Sequence, residues 1–173
     1  MKKKDIVILV FTIGLFVILG SLLLSPAQQQ APDISLMKLD GKKIALSDLR
    51  GKPVLIDFWA TTCVTCVKEL PEMIRFYNEY KDRGVRVIGV AMSYDPPDQV
   101  LNMHDKLKIP YTVALDLQAE AAQAFGDVRL TPTHFLIDPS GKIVLQKVGL
   151  LDFPALRQQI DAMLADKHVA SAQ

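Results

Sequence analysis

Apolar positions along the chain fall into blocks of different period. The first block, Ile6 to Leu24, is apolar except for Thr12, Gly14, Gly20 and Ser21. As a helix its 19 residues would span roughly 28 Å, near the hydrocarbon thickness, whereas a signal-peptide core runs about 7 to 15 residues. Lys2, Lys3 and Lys4 precede it, and the positive-inside rule keeps that end in the cytoplasm. The expectation is a basic cytoplasmic end over 1–5, a single-pass anchor over 6–24, and the rest of the chain facing the periplasm or cell exterior. Ser25-Pro26-Ala27 offers small residues for a signal peptidase, but Pro26 and the length of the run favour a retained anchor.

Residues 25–33, SPAQQQAPD, carry no apolar period and read as a linker. Beyond them Ile34, Leu36, Leu39, Ile44 and Leu46 flank Asp40-Gly41, the pattern of a small hairpin. Ser47 is expected to cap one helical turn. Val54 to Ala60 and Val85 to Met92 are runs suited to strands buried on both faces. Between them Val67, Leu70, Ile74 and Tyr77 recur at helical spacing, predicting a helix from the cysteines to about Lys81, with Pro71 kinking it and Gly84 closing it. A second helix is predicted from Asp95-Pro96-Pro97-Asp98 to Leu107, a strand over 111–115, a short helix over 118–125, and a hairpin of 133–138 with 143–148 around Pro139-Ser140-Gly141. Asp152 caps a last amphipathic helix holding Leu156, Ile160 and Met163 inward, and 167–173 is a frayed tail. Alternating strands and helices predict an α/β domain over 34–166: a central mixed β-sheet flanked by helices.

Composition removes several function classes. Half the 173 residues are hydrophobic and 23% are charged, which is globular and not disordered. A net charge of +1 with no basic stripe excludes the footprint of a nucleic-acid binder. The chemistry then rests on FWATTCVTCVKELPEM, which holds both cysteines of the chain, Cys63 and Cys66. As a staple the pair would close a very short loop, where the entropic gain is smallest. As a zinc clip it lacks a second cysteine pair, and His104, His134 and His168 are scattered; a lone pair still suits soft copper(I). As a reagent it fits its position. Cys63 falls at a strand-to-helix junction, where free backbone N–H groups and the helix dipole favour a thiolate, and Cys66, one turn on, can resolve a mixed disulfide at Cys63.

With these residues in view, VLIDFWATTCVTCVKELPEM resembles the thioredoxin fold, and particularly the membrane-anchored TlpA-like and ResA-like thiol-disulfide oxidoreductases. The resemblance covers about 34–166 and rests on an ordered set. Gly51-Lys52-Pro53 comes first, then Phe58-Trp59-Ala60-Thr61, the two cysteines, Glu69, Pro71, Thr131-Pro132-Thr133, FLIDPSGKIV and Gly149. It implies that Cys63 and Cys66 form a redox-active disulfide, that Cys63 attacks and Cys66 resolves, and that Asp57 and Glu69 act as proton acceptors. It also implies an N-terminal hairpin, a central insertion near 95–117, a cis-proline at Pro132, a Thr131 backbone offered to substrate, and Trp59 beside the site. No cofactor is expected. The expected partners are proteins with cysteine thiols or disulfides, apocytochrome c among them, a transmembrane electron donor, and the membrane through the anchor.

The chain departs from many relatives at Thr62 and Thr65, where they have Trp and Pro; losing the ring should open the face around Cys63. It departs again at His134, read either as a solvated strand residue or as a neighbour that tunes the thiolate or binds copper. The alternative function is a copper(I)-handling thioredoxin-like protein for oxidase assembly. A peroxidase lacks support, because no PxxxTxxC arrangement surrounds Cys63.

Overall fold

The structure, a computed structural model, describes residues 29–170 together with Lys4, Gly14 and Phe16. The anchor expected over 6–24 lies outside the described residues, among which no helix is long and apolar enough to cross a membrane. Seven strands form one mixed sheet: β1 (Ser35–Lys38), β2 (Lys43–Ala45), β3 (Val54–Trp59), β4 (Arg86–Ala91), β5 (Thr112–Leu115), β6 (Thr133–Ile137) and β7 (Ile143–Val148). Their spatial order is β2-β1-β5-β4-β3-β6-β7. The central pairs β3–β4 and β4–β5 are parallel, and β3–β6 and β6–β7 are antiparallel. The helices are α1 (Val64–Tyr80), α2 (Pro97–Leu107), α3 (Glu120–Ala124) and α4 (Phe153–Ala170).

Two cores lie on opposite faces of the sheet because β3, β4 and β6 are apolar on both sides. Leu55, Trp59, Val87 and Leu136 join Leu70, Met73 and Phe76 of α1 and Leu156 and Ile160 of α4 on one face. Ile56, Phe58, Ile88, Val90 and Phe135 join Leu46, Leu49 and Phe125 on the other. Phe58, Phe125 and Phe135 pack ring to ring at centroid distances of 4.8 to 5.9 Å. Each such buried side chain contributes about 1.5 to 3 kcal/mol relative to exposure.

Several expectations shift. The buried stripe of α1 is Cys66, Glu69, Leu70, Met73, Phe76 and Tyr80, rotated by about one residue from the predicted Val67–Leu70–Ile74–Tyr77 series. Phe76 sets that rotation by packing on Tyr80 and Phe153, while Tyr77 turns to Tyr111 at the flank. The helix runs continuously through Pro71, and Gly84, at φ +92°, closes it beyond a 3-10 turn. The turn over Leu46–Leu49 is also 3-10, and its first residue is capped by no side chain, so Ser47 is not its cap. Asp152 Oδ1 does accept from Ala155 N at 3.0 Å, and α4 continues through Ala170, past the tail expected from Lys167.

The linker boundary moves as well. Gln30 bridges Lys142, Ala31 N donates to Gly141 O at 2.9 Å, Ile143 N donates to Gln29 O at 2.8 Å, and Ala31 is buried. Residues 29–31 therefore lie against the β6–β7 hairpin rather than hanging free before Ile34. Across that contact Arg50 Nη1 donates to Ser140 O at 2.7 Å. Its guanidinium occupies the space a side chain at Gly141 would need, since a Cβ there would fall 0.7 Å from Nη1.

Candidate active site

Cys63 is the N-cap residue of α1, and its Sγ accepts from Cys66 N at 3.1 Å. The two sulfurs are bridged, with Cα atoms 5.2 Å apart. Cys63 is half-buried, Val64 beside it is 83% exposed, and Cys66 is 4% exposed. Only Cys63 therefore presents its sulfur to a macromolecule, and it does so where α1's unpaired N–H groups stabilise a thiolate. That separates the two sulfurs: Cys63 is the accessible one and Cys66 the enclosed one.

The loop before Cys63 is held by the insertion. Asp95, itself buried, accepts from Thr61 N at 2.6 Å and from Thr61 Oγ1 at 2.5 Å. Thr62 is exposed, and a groove of about 410 Å³ opens between Thr61, Thr62 and Val67 on one side and Met103 and Lys106 of α2 on the other. The face that a tryptophan would cover is open. At the end of β3 that leads to the cysteines, just before the Phe58–Thr133 pair, lies the Thr131–Pro132 peptide, which is cis, as expected. Thr131 is half-exposed, while Pro132 is buried and its carbonyl accepts from Gly149 N at 2.8 Å.

A buried charged cluster lies between the sheet and α1, the helix that carries Cys66. Asp57 and His134 face each other as cross-strand partners on β3 and β6, on the sheet face that carries α1. Glu69 reaches them from α1, three residues beyond Cys66. His134 Nδ1 is 3.3 Å from Asp57 Oδ1, and His134 Nε2 is 3.1 Å from Glu69 Oε2. Exposure is 5% at Asp57, 6% at Glu69 and 0% at His134. Glu69 Oε1 also accepts from Leu151 N at 2.7 Å, tying α1 to the loop after β7.

Burial pushes the Asp57 carboxyl up to about 6; the His134 charge opposes that rise and the Glu69 charge adds to it. For His134, burial disfavours the imidazolium. Contact with Glu69, the charges of Asp57 and Glu69 and the Gly149 backbone outweigh it, so the net shift is upward. Burial, with the Asp57 and Glu69 charges behind it, holds the Tyr111 hydroxyl well above its ordinary value. A carboxyl lifted toward neutral pH has the chemistry of a proton acceptor.

The structure joins Cys63 to Cys66, brings Asp57, Glu69 and His134 into contact, and sets Pro132 just before the Phe58–Thr133 pair, at the end of β3 that leads to the cysteines. It corrects two placements. Trp59, expected beside a bound substrate, is 2% exposed and packs in the core over Gly89; it supports the site from within and touches no partner. His134 is not a solvated strand residue: its side chain is wholly enclosed, with each ring nitrogen beside a carboxylate. Of the two readings of His134 from the sequence, its placement fits the neighbour of the site. Among the described residues no group of three or more His, Cys, Asp or Glu side chains is arranged to hold a metal ion.

Comparisons with known proteins agree with this geometry. The Redoxin family model matches residues 26–160. The chain is 40% identical over 122 residues to the thiol-disulfide oxidoreductase ResA of Bacillus anthracis, covering 70% of this chain and 69% of that one. It is 36% identical over 124 residues to the ResA protein of Bacillus subtilis, covering 70% and 66%. Among solved structures, a putative thioredoxin from Neisseria meningitidis aligns with a TM-score of 0.72 at 39% identity, over 77% of this chain and 88% of that one. A putative thiol:disulfide interchange protein DsbE from Chlorobium tepidum aligns at 0.71 and 34%, over 79% and 96%. The chain therefore belongs to the Redoxin family as a thioredoxin-fold thiol-disulfide oxidoreductase of ResA-like type.

Proposed function

We propose that the chain is a membrane-anchored reductant working on the periplasmic or outer side of the cytoplasmic membrane. It would deliver electrons to cysteine pairs of partner proteins in cytochrome c maturation or a related pathway. The observation that carries this reading is the asymmetry of the pair: an accessible Cys63 at a helix N-cap and an enclosed Cys66 on the helix that also carries the buried Glu69. The Cys63 thiolate attacks a partner disulfide, forming a mixed disulfide and releasing one partner thiolate. Cys66 then loses its proton, attacks Cys63, re-forms the internal disulfide and releases the second partner thiolate, so two electrons pass from this chain to the partner. A transmembrane electron donor would return the pair to the dithiol. The basic end and the apolar run over 6–24 support the anchored, outward-facing arrangement.

Cys66→Ser should trap mixed disulfides through Cys63 in cells, with c-type apocytochromes among the adducts; no adducts would sink the exchange role. A glutathione redox titration fixes direction: a strongly reducing couple supports a reductant, and one near the about −120 mV of strong periplasmic oxidants reverses it. The copper(I) alternative loses its best third ligand, because both nitrogens of His134 are turned to Asp57 and Glu69.

A further inference from the structure

We propose that His134 is a positioning residue for the resolving step: lodged between Asp57 and Glu69, it holds the two carboxylates as one acceptor for the proton that leaves Cys66. This rests on the exchange reading above and adds a residue to it. Three elements converge to build the cluster, β3 with Asp57, β6 with His134 and α1 with Glu69, and the imidazole spans the carboxylates at 3.3 and 3.1 Å. Two bare carboxylates enclosed together would carry a charge of −2 away from water, which is strongly unfavourable. With the imidazolium between them the cluster carries −1, and a proton arriving from Cys66 brings it to neutral.

A second observation marks the same place. Among the described residues, the buried side-chain nitrogen and oxygen atoms with no aligned hydrogen bond are Asp57 Oδ1, Trp59 Nε1 and the two ring nitrogens of His134. Buried polar groups are nearly always paired, so a set of unpaired ones confined to one spot is a functional signature. The His134 contacts are close charge contacts without hydrogen-bond alignment, leaving the cluster room to take up a proton.

The neighbouring charged groups are otherwise engaged. Tyr111, packed beside the carboxylates, keeps its proton. From α4, Asp152 caps Ala155 and Arg157 binds Glu72 and Glu79. Lys147 of β7, opposite His134 in register, is exposed. His134 is then the cation the carboxylates share. Without it the Asp57 carboxyl holds its proton to higher pH, so resolution should slow and need a higher pH.

The test follows the reduced full chain reacting with a disulfide-bonded synthetic peptide. In a Cys66→Ser background only attack by Cys63 occurs; with Cys66 present, resolution follows. His134→Gln should leave attack within about twofold. It should slow resolution roughly tenfold or more and move the midpoint of its pH profile upward by about one unit, the shift expected on losing an opposite charge at this range. Unchanged resolution with an unchanged midpoint overturns the proposal, while the exchange reading stands if attack is still seen. Absence of attack in the parent overturns both. Imidazole ¹⁵N shifts of the unsubstituted reduced chain give a reading without any variant: His134 protonated through pH 7 supports the proposal, and His134 neutral from pH 5 upward overturns it.

Discussion

Replacing Asp57 with asparagine should stabilise the oxidised protein at neutral pH and leave it nearly unchanged in acid. An unfolded aspartate titrates near 3.8, and burial raises Asp57 in the folded chain to about 6. Between those values the native chain keeps a proton that the unfolded chain has lost. Raising the pH through that window therefore removes native stability, and above about 6 the full cost is present. The rise of about two units, at 1.36 kcal/mol each, amounts to about 3 kcal/mol. His134 acts in the same direction: with its folded pKa raised, the stability it contributes is present below about 6.5 and is lost as pH climbs through the folded value. Because Asp57→Asn also removes one of the anions that hold the imidazolium, part of the gain is returned. The expected net stabilisation at pH 8 is about 1 to 3 kcal/mol, or about 1 M in urea midpoint. Urea titrations of both oxidised proteins at pH 4 and pH 8 check it. A difference that is the same at both pH values, or a variant less stable at pH 8, would refute the assignment of a buried, late-titrating carboxyl.

Two further substitutions test what holds the site from the sides. Gly89→Ala would place a Cβ 3.0 Å from Trp59 Nε1 and 3.4 Å from Tyr111 Cε2, both buried. It should cost about 1 to 3 kcal/mol and alter the fluorescence of Trp59, the chain's one tryptophan; a variant with unchanged melting and emission contradicts the packing. Asp95→Ala removes the acceptor of Thr61 N and leaves Thr61 Oγ1 only Gln99 Oε1 at 3.4 Å, so it should cost about 1 to 3 kcal/mol and loosen the loop before Cys63. Faster amide exchange at Thr61 to Cys63 would show it, and unchanged exchange would mean that the loop needs no clamp.

How much of this was legible in the sequence depends on whether side chains or backbone carry the feature. β3, β4 and β6 were readable because both faces are buried and the run is apolar throughout. The cysteine site was readable because thiol chemistry needs particular residue types at fixed spacing. Residues 29–31 were not, since their attachment to the hairpin is made by the backbone of Gln29, Gln30 and Ala31, which leaves no side-chain pattern. The stripe of α1 was misplaced because two overlapping apolar series share Leu70. The series that wins contains Glu69, a residue no hydrophobic count would place inside.

His134 shows the limit most clearly. Asp57 is the one charged residue in VLIDFW, and His134 is the one titratable residue in THFLI, so each alone reads as a blemish in a buried strand. A titratable group that breaks a strand buried on both faces has no solvent to reach, and it must meet a partner or disrupt the sheet. Two such exceptions in one chain are therefore a reason to ask whether their strands pair. Strand order alone does not answer, because a slip of one residue in the β3–β6 register would turn His134 to the opposite face, among Phe58 and Phe125. With Asp57 opposite His134, both exceptions fall on the face that α1 covers, directly where Glu69 enters. The pairing register, absent from any single segment, is what converts three isolated polar residues into one buried charged cluster.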